Sequence, residues 1–317
     1  MPSKTRRLPS IICPGCGQEV HSREYTPNRR GGANVASTYE TCLRCCEACG
    51  FGFSNANTDQ TEKLTVIYRD PFRNVPSSIV DGWETTLDRS LNQANRVSKR
   101  AKFASSNSED HVTWTVFRYL QVQNAVRLVL SNLGSDISKN AIDEPTMLLW
   151  GAPVPQNDFK AQYLQGHLVK ILESIGENPR FYSEPDVILE FGGKGVIFVE
   201  VKVGSPNDKK RPSYAGWGRY TQDTDPFVDT GKLKECGLYE LARNWRIAWD
   251  FAGTRPMELM NLGPKRLFHA DDSLQKFHES LRVETNRRFL PISWDRFVGS
   301  IPNPPSWLNR YVQDRRL

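Results

Sequence analysis

The spacing of apolar residues predicts three helices in the chain. Between Asp158 and Ile175 apolar side chains recur every three or four residues, which places them on one helix face, and Gly176 follows as a stop. Ser108 is a favourable N-cap followed by two acidic residues, so we expect a helix from there to about Asn132. A third amphipathic helix is predicted from about Lys232 to Phe251.

A β-hairpin is predicted in the middle of the chain. Two short runs of mainly apolar residues, Asp186 to Phe191 and Val196 to Val203, are typical of buried strands, and the stretch GGKG that joins them favours a tight turn. Beyond the hairpin we expect strands at 257–262 and 287–292, and helices at 273–281 and after Ser293. Helices that alternate with short strands, including a hairpin, predict an α/β domain with a mixed sheet.

The second strand of this hairpin, VIFVEVKV, carries Glu200 and Lys202 among apolar residues. Side chains two residues apart share a face of a strand, so both charges lie on one side, and Val199 and Val201 line the other. An ionised group in a core is costly unless it is paired, hydrogen-bonded or bound to a metal. The charged face of this strand therefore needs a partner.

Asp186, which follows Pro185 at the start of the first strand, is the predicted partner. If the turn contains an odd number of residues, Asp186 falls on the face of Glu200 and roughly opposite it. Directly opposed residues have Cβ atoms ~4.5–5.5 Å apart, close enough for two carboxylates to hold one Mg²⁺ ion. The glycines of the turn permit a three-residue loop with a left-handed position, so we expect the odd turn.

Six of the seven cysteines lie near the N-terminus, between positions 13 and 49. Two C-x-x-C-G segments supply Cys13 and Cys16, and Cys46 and Cys49, with the spacing of a zinc ribbon. These four are the predicted ligands of a structural Zn²⁺ ion, which would stabilise a module too small to fold around its own core. The remaining two cysteines of the cluster form the alternative ligand pair, Cys42 and Cys45.

Length and composition allow a large domain with an appendage. The 317 residues divide into a predicted zinc-ribbon-like module at 1–75, a helical connection at 76–104 and the α/β domain at 105–317. A net charge of +6 favours a polyanionic partner. Apolar runs of membrane-spanning length and a signal-peptide pattern are both missing, so we expect no membrane association and a cytoplasmic location.

Pro185-Asp186, a gap of thirteen residues and Glu200-Val201-Lys202 together resemble the signature of the PD-(D/E)xK nucleases, the restriction-endonuclease-like superfamily. The resemblance implies an αβββαβ core with a mixed sheet flanked by helices. In that core the aspartate opens the second strand and the E-x-K segment lies on the third. The resemblance extends from about Ser108 to the C-terminus in the order of elements, although the motif itself is short.

The resemblance also implies roles for individual residues. Asp186 and Glu200, with the Val201 carbonyl, would bind Mg²⁺ or Mn²⁺, and Lys202 would position or deprotonate the attacking water and offset charge in the transition state. Many members add a glutamate from the first core helix, for which Glu109 is the candidate. Lower-ranked carboxylates are Asp110, Glu173, Glu184 and Glu190.

The implied activity is metal-dependent hydrolysis of phosphodiester bonds in double-stranded DNA, in restriction or genome defence in a prokaryotic cytoplasm. A homodimer is consistent with it, since cutting both strands requires two sites. The alternatives are a catalytically inactive DNA-binding protein with the nuclease fold, and a nuclease of repair or recombination. Basic residues of the loop after the hairpin and of the next helix are the predicted nucleic-acid contacts, Lys209, Lys210, Arg211 and Arg243.

Overall fold

The structure, a computed structural model, describes residues 5–81, 102–154, 158–178, 182, 184–222, 225–269 and 271–315. Most of the predicted connection at 76–104 lies outside the described residues. The part of it that is described begins with a single helical turn, α1 (Ser77–Val80).

The N-terminal part contains two small antiparallel sheets. One pairs two strands, and the other joins three strands in chain order. The strands are β1 (Ile11–Ile12), β2 (Glu19–Val20), β3 (Arg44–Cys46), β4 (Phe51–Phe53) and β5 (Val66–Tyr68). They enclose a small core of their own, to which Phe53 and Tyr68 contribute. Residues from Phe72 onward pack instead against the core of the larger part.

Six strands form the large sheet, in the spatial order β11-β10-β9-β8-β6-β7. They are β6 (Thr146–Leu149), β7 (Ala152–Val154), β8 (Val187–Glu190), β9 (Val196–Val201), β10 (Met257–Gly263) and β11 (Arg287–Ser293). Strands β7, β6, β8 and β9 pair antiparallel, whereas β10 runs parallel to both β9 and β11. The predicted mixed sheet is therefore confirmed.

Helices cover both faces of this sheet and bury a separate apolar core on each. The helices after α1 are α2 (Glu109–Val122), α3 (Val126–Asn132), α4 (Asp136–Asn140), α5 (Phe159–Ser174), α6 (Trp217–Thr221), α7 (Thr230–Cys236), α8 (Tyr239–Ala252), α9 (Ser273–Ser280), α10 (Trp294–Gly299) and α11 (Ser306–Asp314). The first core includes side chains of α2, α3, α10 and α11, and the second includes side chains of α5 to α9. None of the helices in the described part of the chain combines the length and the apolar character needed to cross a bilayer.

Two of the predicted helices are broken, so the prediction of continuous helices there was wrong. The helix that begins at the N-cap Ser108 ends at Val122, because Asn124 adopts a left-handed φ of 47° before α3 begins. The helix predicted at 232–251 is divided at Gly237, whose φ is 75°. Glycine reaches this conformation at little cost, and the break gives α8 its own N-terminus.

The hairpin of β8 and β9 has the predicted odd turn. Glu190 pairs with Val196 at the last rung of the ladder, and the Phe191 N–H donates to the Gly195 carbonyl at 2.9 Å. This leaves a three-residue loop, Gly192–Lys194, in which Gly192 has a φ of 62°. Continuing the register by one rung beyond Val187 and Val199 brings Asp186 opposite Glu200.

Candidate functional site

The four cysteines of the two C-x-x-C-G segments form a cluster beside β3 and β4. The sulfur atoms of Cys13, Cys16, Cys46 and Cys49 all lie within 4.8 Å of one another, and those of Cys16 and Cys46 are 3.6 Å apart. A tetrahedral Zn²⁺ with Zn–S bonds of ~2.3 Å separates its sulfur ligands by about 3.8 Å. Four thiols at this spacing could hold a structural zinc ion.

The alternative ligand pair lies outside this cluster. The Cys42 thiol donates to the Thr38 carbonyl at 3.4 Å, and the Cys45 thiol donates to the Tyr39 and Cys42 carbonyls. The structure thus separates the two C-x-x-C possibilities that the sequence leaves open.

A cluster of charged side chains lies at one end of β9, on the face of the sheet covered by α8. Glu200 and Lys202 are 2 % and 5 % exposed, and the Lys202 ammonium is 2.6 Å from Glu200 Oε1. Asp186, at the start of β8, accepts a hydrogen bond from the Val201 N–H at 2.8 Å. Val199 and Val201 of β9, in contrast, are buried in the core on the opposite face. The structure therefore brings together the three residues of the sequence motif.

Glu109 reaches the same cluster from the N-terminus of α2. Its Oε1 accepts hydrogen bonds from the Val203 N–H, at 3.2 Å, and from the Ser205 hydroxyl. Its Oε2 is 3.8 Å from the Lys202 ammonium. The N-cap Ser108, whose hydroxyl accepts from the His111 N–H, fixes the start of α2 and so places Glu109 at the end of β9.

Helix α8 supplies two further residues that the sequence does not assign. Glu240, in its first turn, is 2.7 Å from the Lys202 ammonium, and the Asn244 side-chain amide donates to Glu200 Oε2 at 2.6 Å. The spacing of four residues places both on one helix face. Asn244 is fully buried in a stretch where its neighbours Leu241 and Trp245 are apolar. A polar residue on the core face of a helix is the signal that identifies this position.

Burial and crowding of like charges shift the pKa values of the cluster. Burial, together with the charges of Asp186 and Glu240, raises the pKa of Glu200 to about 8. Burial lowers the pKa of Lys202, but the neighbouring carboxylates outweigh it and raise the pKa above the usual lysine value. Burial also raises the pKa of Glu109. Glu200 consequently retains its proton near neutral pH unless a further positive charge enters the cluster.

Two of the lower-ranked carboxylates, Glu190 and Glu173, have partners outside the cluster. Glu190, at the opposite end of β8, forms an ion pair with Arg255 at 2.7 Å. Glu173 accepts a hydrogen bond from the Tyr182 hydroxyl. The carboxylates within 4 Å of the Lys202 ammonium are instead those of Glu109, Glu200 and Glu240.

The predicted nucleic-acid contacts have different surroundings. Lys209 pairs with Asp271 at 2.6 Å and Lys210 with Asp208 at 3.0 Å. Arg243 is only 14 % exposed and lies 3.8 Å from Glu240, so it belongs to the edge of the charged cluster. Arg211 is exposed and has no ion pair among the described residues.

No protein-family model, curated protein or solved structure matches this chain. The geometry of the two clusters is therefore the basis for a functional conclusion.

Proposed function

We propose that this chain is a metal-dependent DNA endonuclease of the PD-(D/E)xK type that hydrolyses phosphodiester bonds. The observation that carries the proposal is the cross-strand position of Asp186 and Glu200, with Lys202 on the same face of β9. A salt bridge on an exposed sheet would explain alternating charges equally well, but Glu200 and Lys202 are almost completely buried. Buried charged groups whose pKa values are strongly shifted are concentrated at functional sites.

The charge of the cluster suits a divalent cation. Four carboxylates, those of Asp186, Glu200, Glu240 and Glu109, surround two cations, Lys202 and Arg243, so the formal charge is −2 when all are ionised. Mg²⁺ prefers oxygen ligands and is usually bound through one or two carboxylates. Glu200 accepts one hydrogen bond on each oxygen, from Lys202 and from Asn244, which leaves lone pairs available.

The residues that would hold Mg²⁺ or Mn²⁺ are Asp186 and Glu200, with the carbonyl of Val201. When bound, the ion supplies Lewis-acid activation of water and stabilisation of negative charge on the phosphate. Lys202 adds a fixed positive charge beside the same phosphate and is placed to orient or deprotonate the attacking water. Its backbone is fixed on both sides, because its N–H donates to the Leu262 carbonyl and its carbonyl accepts from the Trp294 indole.

Glu240 and Asn244 hold Lys202 and Glu200 in position. Asn244 holds one oxygen of Glu200, and Glu240 holds the Lys202 ammonium from the side of α8. Both are positioning residues in this proposal.

The topology supports the same assignment. The elements α2, β6, β8, β9, α8 and β10 occur in the order of the αβββαβ pattern that the sequence motif implies, with α3, α4, β7, α5, α6 and α7 inserted between them. Asp186 precedes the second of these strands, and Glu200 and Lys202 lie at the end of the third. In this proposal the cysteine cluster holds a structural Zn²⁺, and the biological setting is restriction or genome defence in a prokaryotic cytoplasm.

The test is cleavage of supercoiled plasmid by the purified chain with Mg²⁺ or Mn²⁺. We expect cleavage by the wild type and loss of at least roughly 100-fold in rate for Asp186→Asn and Lys202→Ala, since each removes a group that acts on the reacting phosphate. Glu190→Gln is the matched control, because Glu190 lies on the same strand but pairs with Arg255.

Equal cleavage by the wild type and both site variants would contradict the assignment of the site. If the wild type binds DNA but cleaves none with either metal, the chain is instead a DNA-binding protein with an inactive nuclease fold. Products mapped on defined duplexes then show whether cleavage requires a specific sequence, as restriction does, or a structure typical of repair and recombination.

A further inference from the structure

A cavity of ≈ 690 Å³ lies between the cysteine cluster and the end of β9. Pro14 and Gly15, which belong to the first C-x-x-C-G segment, contribute to one part of its wall. Val203 and Gly204, which directly follow the E-x-K segment, contribute to another. The cavity therefore connects the candidate zinc module with the candidate catalytic cluster.

A second cavity of ≈ 580 Å³ continues this space to the charged cluster. It is lined by Glu109 and Ser205, and it shares Thr65, Asn107 and Gly204 with the first cavity. Gly204 lines both cavities, and a Cβ at this position would come within 3.2 Å of the Asn107 side chain. A chain-like ligand could extend from Glu109 through both cavities.

The first cavity has an excess of positive charge. Its lining includes five basic residues, Lys63, Arg73, Arg266, Arg310 and Arg315, and two acidic ones, Glu62 and Asp314. Arg73 donates to the Cys49 carbonyl, Arg315 to the Ser105 carbonyl and Arg266 to the Val203 carbonyl at 3.4 Å, so these three arginines are positioned by the backbone. Across the described ranges, neither Lys63, Arg266 nor Arg310 forms an ion pair with a carboxylate.

Cations without counter-ions around a concave surface raise the local potential and attract anions. A phosphodiester chain supplies negative charges at regular intervals, and lysine and arginine are its usual partners. A volume of ≈ 690 Å³ lies within the range of about 300–1,000 Å³ typical of small-ligand sites, and a double helix is too wide to enter it. The dimensions and charge thus suit an unpaired strand.

We propose that this cavity binds a single-stranded segment of the nucleic acid, with phosphates at Lys63, Arg266 and Arg310. The strand passes from the candidate catalytic cluster, across Gly204, towards the cysteine cluster. This inference rests on the proposed nuclease function and adds to it a substrate class, DNA in which an unpaired extension or flap adjoins the cleaved position.

The test compares binding of two kinds of probe. One is a short blunt duplex, and the other is the same duplex with a single-stranded extension, made once at the 5′ end and once at the 3′ end. Fluorescence anisotropy is measured with Ca²⁺ in place of Mg²⁺, over a series of salt concentrations. The variant Lys63→Ala/Arg310→Ala removes two exposed cations from the cavity. The matched control Lys170→Ala/Lys194→Ala removes two exposed lysines that lie outside both cavities.

We expect the wild type to bind one of the extended duplexes more tightly than the blunt one. Two phosphate contacts on a single strand correspond to a slope of about −1.4 in log K against log salt. The cavity variant should therefore bind the extended duplex roughly 25-fold more weakly at about 0.1 M salt, with a correspondingly shallower slope. Its affinity for the blunt duplex, and that of the control variant for both probes, should not change.

An equal loss of affinity for both probes, no loss, or no preference of the wild type for an extension would overturn the role of the cavity. Cleavage of the plasmid and of the extended duplexes with Mg²⁺ separates this failure from that of the proposed function. If cleavage persists while the extension has no effect, only the cavity proposal fails, whereas a wild type that neither cleaves nor binds any probe refutes both.

Discussion

Replacing Lys202 by methionine tests whether the charged cluster depends on one buried cation. The Lys202 ammonium lies 2.6 Å from Glu200, 2.7 Å from Glu240 and 3.8 Å from Glu109. With an effective dielectric constant of about 20, each of the two short contacts contributes an attraction of about 6 kcal/mol when its carboxylate is ionised. Much of this attraction is offset by the cost of removing the ammonium from water. Breaking a buried pair by removing one partner typically costs 3–5 kcal/mol.

We therefore expect Lys202→Met to lower the free energy of unfolding by about 3–5 kcal/mol in buffer without divalent cations at pH 8. The loss should decrease at pH 6, because Glu200, whose pKa is raised to about 8, becomes neutral and no longer repels the neighbouring carboxylates. Mg²⁺ should stabilise the variant more than the wild type, since it replaces the missing positive charge. Denaturant unfolding followed by tryptophan fluorescence measures all three effects.

Lys194→Met is the control for this experiment, because Lys194 is an exposed residue of the turn between β8 and β9. Its stability should stay within about 0.5 kcal/mol of the wild type. A Lys202→Met variant as stable as the wild type at pH 8 would refute the reasoning. The reasoning would also be refuted if Mg²⁺ stabilised Lys202→Met no more than it stabilises the wild type.

Three further predictions concern pH, zinc and backbone conformation. Folding raises the pKa of Glu200 from its usual 4.5 to about 8, so between these pH values the folded protein binds one proton more than the unfolded chain. Without divalent cations, the melting temperature should therefore fall as the pH rises from about 4.5 to about 8. Glu200→Gln should flatten this fall, and an unchanged profile would exclude Glu200 as its source. Metal analysis should find one Zn²⁺ per wild-type chain, lost in Cys46→Ser but retained in the control Cys42→Ser; a wild type without zinc would contradict the cysteine site. Gly237→Ala should destabilise the chain by about 1–2 kcal/mol, because φ is left-handed at this position. Gly166→Ala, in a helix where a Cβ meets no neighbouring atom, should stabilise the chain by up to about 1 kcal/mol. Denaturant midpoints of the two variants that shift in the same direction would refute this.

The hairpin shows how far local sequence reasoning extends. Alternation along β9 identifies which side chains share a face, and the glycines of the turn allow an odd loop, so the position of Asp186 opposite Glu200 could be predicted. The cysteine spacing likewise predicts a four-sulfur cluster, because a C-x-x-C turn is a local structure. The hairpin depends on a single turn and each C-x-x-C pair is local, although the two pairs lie about 30 residues apart.

The helix breaks show where the same reasoning fails. Hydrophobic periodicity continues across Asn124 and across Gly237, so it predicts continuous helices on both sides of each residue. Whether such a residue adopts a left-handed conformation depends on what the following segment packs against. At Gly237 the break lets Glu240 lie in the first turn of a new helix, next to Lys202.

By itself, the sequence identified the cysteine cluster and part of the charged cluster. It identified a strand with two buried charges, an aspartate on the neighbouring strand and paired cysteines, since these follow from periodicity and short-range geometry. Tertiary structure alone decided which distant residues complete them. Glu240 and Asn244, which the sequence does not assign, come from α8, and Glu109, which the resemblance suggests, comes from α2. Only the packing of these two helices against the end of β9 brings the three side chains within reach of Lys202 and Glu200. Contacts of this kind depend on how separate elements fill a shared core, which no local pattern specifies.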